Sequence, residues 1–136
     1  MFGGGNKRAK PLVLVVDDDE DIRAMLTDLL QALGVDVVGA PNGAEGVKLA
    51  LKMIPDLILL DVRMPMMDGF DVCRVIKSDA KGKAIPILMV TSMDQQKDVE
   101  KALANGADGY IAKPMNHAFF KKKISEVLKL PPKLEA

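Results

Sequence analysis

Five short apolar runs punctuate the chain, at Leu12–Val16, Val35–Ala40, Asp56–Leu60, Ile85–Val90 and Gly109–Ala112. Each is too short for a buried helix and fits a buried strand. Between them the apolar period lengthens to three and four. Ile22, Met25, Leu26, Leu29, Leu30 and Leu33 fall on one helical face, and Gly34 stands where a left-handed C-cap belongs. Val47, Ala50, Leu51 and Ile54 mark a second helix, entered through Asn42-Gly43 and stopped before Pro55. Val72, Val75 and Ile76 mark a third. A fourth runs from an Asp94 N-cap to Gly106, and Phe120, Ile124, Val127 and Leu128 stripe a fifth that Pro131 closes.

Strands alternating with helices over short connections imply a parallel sheet, with right-handed crossovers placing helices on both faces. The simplest arrangement is an α/β, flavodoxin-like, doubly wound five-stranded sheet in the order 2-1-3-4-5. The first and third strands then lie side by side where the winding reverses, the point at which open α/β sheets bind ligands. The fourth helix carries little apolar surface beyond Val99, Ala102 and Leu103. It is either a moving part or a solvated edge.

At 136 residues the chain holds one domain, expected over residues 11–130. Residues 1–10, Gly-rich and basic, read as a flexible tail, and residues 131–136 as a native end, a linker remnant or a cloning remnant. A hydrophobic share of 49% beside 28% charged residues fits an ordinary globular protein. Zero net charge provides no basic field for nucleic acid or anionic lipid. No run approaches the roughly 18 apolar residues of a membrane span. Cys73, the single cysteine, excludes an internal disulfide and points to a reducing, cytoplasmic setting.

The chemistry gathers at the carboxyl ends of the strands. Asp61 follows Leu57-Ile58-Leu59-Leu60, and the Pro65 to Gly69 stretch behind it forces a loop. Asp17 and Asp18 follow the first strand, ahead of the helix. Asp19, Glu20 and Asp21 read instead as acids favouring a helix N-terminus. Three converging carboxylates repel, which raises at least one pKa unless a cation offsets them. An all-oxygen site without a His or Cys cluster suits Mg²⁺. Thr91 ends the fourth strand and Lys113 the fifth, so a hydroxyl and an ammonium join the same rim. A carboxylate nucleophile, a divalent ion, an ammonium and a hydroxyl are what phosphoryl transfer requires.

Val15-Val16-Asp17-Asp18-Asp19-Glu20, Leu59 to Gly69, Val90-Thr91-Ser92 and Gly106 to Pro114 together resemble, in order, the four signatures of the chemotaxis-regulator-like receiver domain of two-component response regulators. The resemblance covers roughly Leu12 to Leu130. It implies that Asp61 accepts a phosphoryl group from a sensor histidine kinase or histidine phosphotransfer protein. Mg²⁺ would lie between Asp17, Asp18, Asp61 and the backbone carbonyl of Arg63. Lys113, with a cis bond to Pro114, and Thr91 would contact the phosphoryl group, and Tyr110 would follow Thr91 from an outward to an inward rotamer. The surface of the fourth helix, fifth strand and fifth helix would meet a downstream protein or output domain. Such a protein is a switch rather than an enzyme, catalysing only its own phosphorylation and dephosphorylation. No direct contact with nucleic acid or membrane is implied, and phosphorylation-dependent homodimerisation stays open. Arg63 and Met93, two residues beyond Asp61 and Thr91, would hinder water and slow loss of the phosphoryl group.

The rival assignment is an aspartyl-phosphate phosphatase of haloacid-dehalogenase type. Asp17-x-Asp19 matches part of its nucleophile motif, but Asp21 stands where a Thr or Val belongs and Asp61 has no role. The chain also fits a receiver excised from a larger regulator, such as a diguanylate cyclase or hybrid kinase. His117, the single histidine, reads as a surface residue at the start of the fifth helix, and Lys121-Lys122-Lys123 as a solvated face. Met64, Met66 and Met67 read as loop packing and Cys73 as core.

Overall fold

The computed structural model describes residues 8–92, 96–113 and 115–131. Its elements run β1 (Leu12–Val16), α1 (Glu20–Gln31), β2 (Asp36–Ala40), α2 (Gly43–Met53), β3 (Leu57–Leu60), α3 (Gly69–Ser78), β4 (Ile87–Thr91), α4 (Gln96–Ala104), β5 (Gly109–Ala112) and α5 (His117–Leu128). All paired strands are parallel, in the order β2-β1-β3-β4-β5.

Alternation along the strands builds two cores. Leu14, Val16, Ile58, Leu60 and Met89 point to one face and pack with Ala50 of α2, Val72, Cys73 and Ile76 of α3, and Ala102 of α4. Val13, Val15, Leu57, Leu59 and Val90 point to the other, against Leu26 and Leu30 of α1 and Phe120 and Ile124 of α5. The sheet is thus covered on both sides, which is why β1, β3 and β4 are apolar at nearly every position.

Local chemistry sets the boundaries. β4 begins at Ile87 rather than Ile85, because Pro86 has no N–H to donate to a ladder. Its carbonyl still accepts from Ile58 at 3.0 Å. Thr91 is the last residue of β4, paired with Ala112. α1 ends at Gln31, and Leu33 and Gly34 tighten the turn through bonds to Leu30 and Gln31. Gly34, at φ +84°, therefore closes that turn two residues beyond the cap. α2 is capped by Asn42, whose side chain accepts from the Glu45 amide, and it stops at a left-handed Ile54 ahead of Pro55. α4 ends at Ala104, with Gly106 at φ +103° in the turn that follows. The Asp94 cap lies outside the described residues, as do Met93 and Pro114. Ala102 is the one buried residue of α4, so that helix is thinly packed. Arg8 bonds the Met53 and Ile54 carbonyls and lies 3.6 Å from Asp56, tying the chain before β1 to the α2–β3 turn.

Candidate functional site

Strand pairing continues past the end of β1 and holds the acids in place. The Asp17 amide donates to the Ala40 carbonyl at 3.2 Å, and the Asp61 amide donates to the Val16 carbonyl at 3.0 Å. Asp17 and Asp61 are thereby neighbours at the carboxyl edge of two adjacent central strands. The Asp17 carbonyl accepts from Arg23 Nη1 at 2.8 Å, and its Oδ1 accepts from the Asp19 amide at 2.9 Å. On the other side of Asp61, the Lys113 amide donates to the Thr91 carbonyl at 2.8 Å. One more rung of the β4–β5 ladder therefore sets Lys113 beside Thr91.

The side chains converge. Carboxylate oxygens of Asp17, Asp18 and Asp61 lie within 4.8 Å of one another. Asp17 is 2% exposed, Asp61 8% and Thr91 0%, whereas Asp18 faces solvent. Lys113 Nζ lies 3.3 Å from Asp17 Oδ2 and 3.8 Å from Asp61 Oδ1, a cation placed between two buried anions. Burial and then the charge of Asp17 push the Asp61 carboxyl above the usual carboxylate range. Lys113, the Arg63 backbone N–H and the Thr91 hydroxyl each pull it back. Thr91 Oγ1 is itself buried without a hydrogen-bond partner of normal length. A buried hydroxyl without a bond of normal length is unusual.

These residues fit a hard divalent ion. The donors are carboxylate oxygens, the charges exceed what Lys113 alone offsets, and no imidazole or thiolate belongs to the group. On the same rim the Lys113 ammonium and the buried Thr91 hydroxyl offer a cation and a hydrogen-bond donor.

All the side chains singled out at the strand ends thus come together, and Tyr110, the remaining one, is exposed on β5. His117 and Lys122 are exposed, and Cys73 is buried. Met66 is fully exposed at φ +71°, whereas Met64 is buried.

Two features escaped the sequence. Gly69 was legible only as a loop former, yet it is the first residue of α3 and sits against the Asp61 backbone. A Cβ there would lie 2.3 Å from the Asp61 carbonyl oxygen and 2.8 Å from Val62 Cα. Its amide donates to the Val62 carbonyl at 2.9 Å. The second is the Arg63 guanidinium, 3.6 Å from Asp98 on α4. No local pattern announces that contact.

The phosphatase assignment is not favoured. It needs the Asp19 carboxylate free for proton transfer, but that group caps α1, accepting from the Asp21 and Ile22 amides at 2.8 and 3.2 Å.

Comparison with known proteins agrees with this geometry. Residues 13–125 match the family model of the response regulator receiver domain. Protein PilH of Pseudomonas aeruginosa is 38% identical over 116 residues, 85% of this chain and 96% of its own length. The DNA-binding dual master transcriptional regulator RpaA of Synechocystis is 39% identical over 106 residues, 78% of this chain, and the chain spans only 44% of that relative's length. Among solved structures, Vibrio cholerae chemotaxis protein CheY4 superposes with a TM-score of 0.83 at 35% identity, covering 88% of this chain and 99% of the other. The receiver domain of the Pseudomonas aeruginosa sensor histidine kinase PA1611, which has a magnesium ion coordinated in its active-site cleft, gives 0.82 at 29% identity, covering 89% and 99%. The chain belongs to the receiver-domain family of two-component response regulators.

Proposed function

We propose that Asp61 is the phosphoacceptor of this receiver and that Asp17, Asp18, Asp61 and the Arg63 carbonyl hold Mg²⁺ beside it. The observation that carries this is the convergence of a buried Asp61, the Lys113 ammonium and a buried Thr91 hydroxyl that has no hydrogen bond of normal length. An Asp61 carboxylate oxygen attacks the phosphorus of a phosphohistidine or acyl phosphate. The P–N or P–O bond to the donor breaks, and the leaving group takes its electron pair. Lys113 holds phosphoryl oxygens by charge, and the Thr91 hydroxyl donates to another, gaining a hydrogen bond of normal length. When bound, Mg²⁺ supplies further positive charge for those oxygens.

The product carries about 1.5 to 2 negative charges at Asp61, where the carboxylate carried one, and brings three strong acceptors. Drawing Thr91 inward opens space behind it for Tyr110, so exposed Tyr110 carries the change to the face of α4, β5 and α5. The donor is a sensor histidine kinase or histidine phosphotransfer protein, and the recipient a downstream protein or an attached output domain. RpaA is a DNA-binding regulator. This chain spans under half of it, and with no net charge it is assigned protein contacts instead. No helix among the described residues is long and apolar enough to cross a membrane, in keeping with a cytoplasmic switch. Residues 11–130 are taken as the receiver unit.

Incubation with acetyl phosphate and Mg²⁺, followed by intact mass, tests the assignment. One phosphoryl group is expected on the parent, and none with EDTA or in Asp61→Asn. Undiminished phosphorylation of Asp61→Asn would overturn it. Size-exclusion runs with and without beryllofluoride report whether the switched form pairs.

A further inference from the structure

Arg63 stands in two places at once. Its main chain follows Asp61 by two residues, in the loop between β3 and α3. Its side chain reaches α4, where Nη2 lies 3.6 Å from Asp98 Oδ2. The arginine side chain is 67% exposed and that of Asp98 21%, so the cation extends through solvent to a carboxylate seated on the helix. Beside this pair, Lys101 Nζ of α4 lies 4.7 Å above the Phe70 ring of α3. The two contacts border an open groove of about 490 Å³ between the acceptor loop and α4. Because α4 buries only Ala102, its position leans on such surface straps. An element held in this way shifts with a modest change of partners.

We propose that Arg63 is a second cationic ligand of the phosphoryl group, surrendered by Asp98 when Asp61 is phosphorylated, so that one side chain both binds the phosphoryl group and releases α4. This rests on Asp61 being the acceptor. Asp98 offers the guanidinium a single negative charge, in a pair too long for a hydrogen bond and open to screening by salt. A phosphoryl group on Asp61 offers nearly twice that charge, with oxygens spaced for two parallel N–H bonds from the planar fork. The exchange trades a loose partner for a strong one, and α4 loses a strap as a consequence. Asp98 is then a competitor of the phosphoryl group rather than a bystander on the helix.

The test is a beryllofluoride titration of the full chain with Mg²⁺, together with amide exchange of α4 in the absence of beryllofluoride. Asp98→Asn is expected to tighten beryllofluoride binding about threefold, the scale of an exposed ion pair, and to speed exchange in α4. Arg63→Gln is expected to speed α4 exchange equally while weakening beryllofluoride binding. In the Arg63→Gln background, Asp98→Asn should change neither quantity. The proposal is overturned if Asp98→Asn leaves binding unchanged or weakens it, or if its effect is the same with Arg63 absent. Asp61→Asn keeps the two ideas apart: beryllofluoride bound without that carboxylate defeats the acceptor assignment itself, whatever Arg63 and Asp98 do.

Discussion

Alanine at position 69 would put a methyl group where the backbone of the acceptor already lies. Its Cβ would sit 2.3 Å from the Asp61 carbonyl oxygen, 2.8 Å from Val62 Cα and 3.0 Å from the Asp61 carbonyl carbon. Unstrained contacts between such atoms begin near about 3.5 Å, so one partner must give by roughly 1 Å. None of the three atoms belongs to a flexible side chain. Asp61 is fastened by its amide to Val16 of the neighbouring strand, so the start of α3 is what yields. That movement stretches the Gly69 amide bond to Val62 and the cap in which Asp68 and Asp71 exchange side-chain bonds. Overpacking costs about 1–3 kcal/mol and the weakened hydrogen bond about 1 more. Alanine in place of glycine in a helix returns up to about 1. Gly69→Ala is therefore expected to lose about 1–3 kcal/mol in urea unfolding followed by circular dichroism. Phosphorylation by acetyl phosphate should also slow under conditions where the variant is still fully folded. Gly39→Ala is the control, since a Cβ there would meet nothing closer than Arg23 Cδ at 3.6 Å and the φ is not positive. It should stay within about 0.5 kcal/mol of the parent. A Gly69→Ala protein as stable and as readily phosphorylated as the parent would show that the backbone beside Asp61 accommodates the methyl group without strain.

Three further outcomes are expected. Because the folded state holds the Asp61 proton more tightly than the unfolded chain, ionising it costs stability as pH climbs from the ordinary 3.8 through the raised value. Asp61→Asn should accordingly stabilise the protein in EDTA at pH 7, with the gain fading as pH falls toward 3.8; a gain that persists or grows in acid would contradict this. Cys73 is buried and its thiol is pushed up to about 11, so iodoacetamide at pH 8 should label it only after urea unfolding, as read by intact mass. Asp108 Oδ2 accepts from Lys77 Nζ at 3.0 Å and from the Ile87 amide at 2.8 Å, joining α3 to the start of β4. Asp108→Ala should cost about 1–3 kcal/mol in thermal or urea unfolding, and a neutral result would mean that water replaces the carboxylate.

The order of elements, the sheet topology and the rim on which the acids, Thr91 and Lys113 would meet follow from the sequence. Burial in a parallel sheet imposes period two or continuous apolarity on strands, and an amphipathic helix imposes period 3.6; both are written locally. Counting to the end of each run was enough to find Asp17, Asp61, Thr91 and Lys113. Tertiary structure decided what depends on how distant segments approach. It made Asp17 buried and Asp18 exposed, though they are adjacent. It turned Gly69 from a loop former into a residue with no room for a Cβ beside the Asp61 backbone, and it brought Arg63 to Asp98 across 35 positions. Such contacts are set by where a helix crosses the end of a strand and by the rotamer of a long side chain. Neither leaves a periodic trace in the order of the residues.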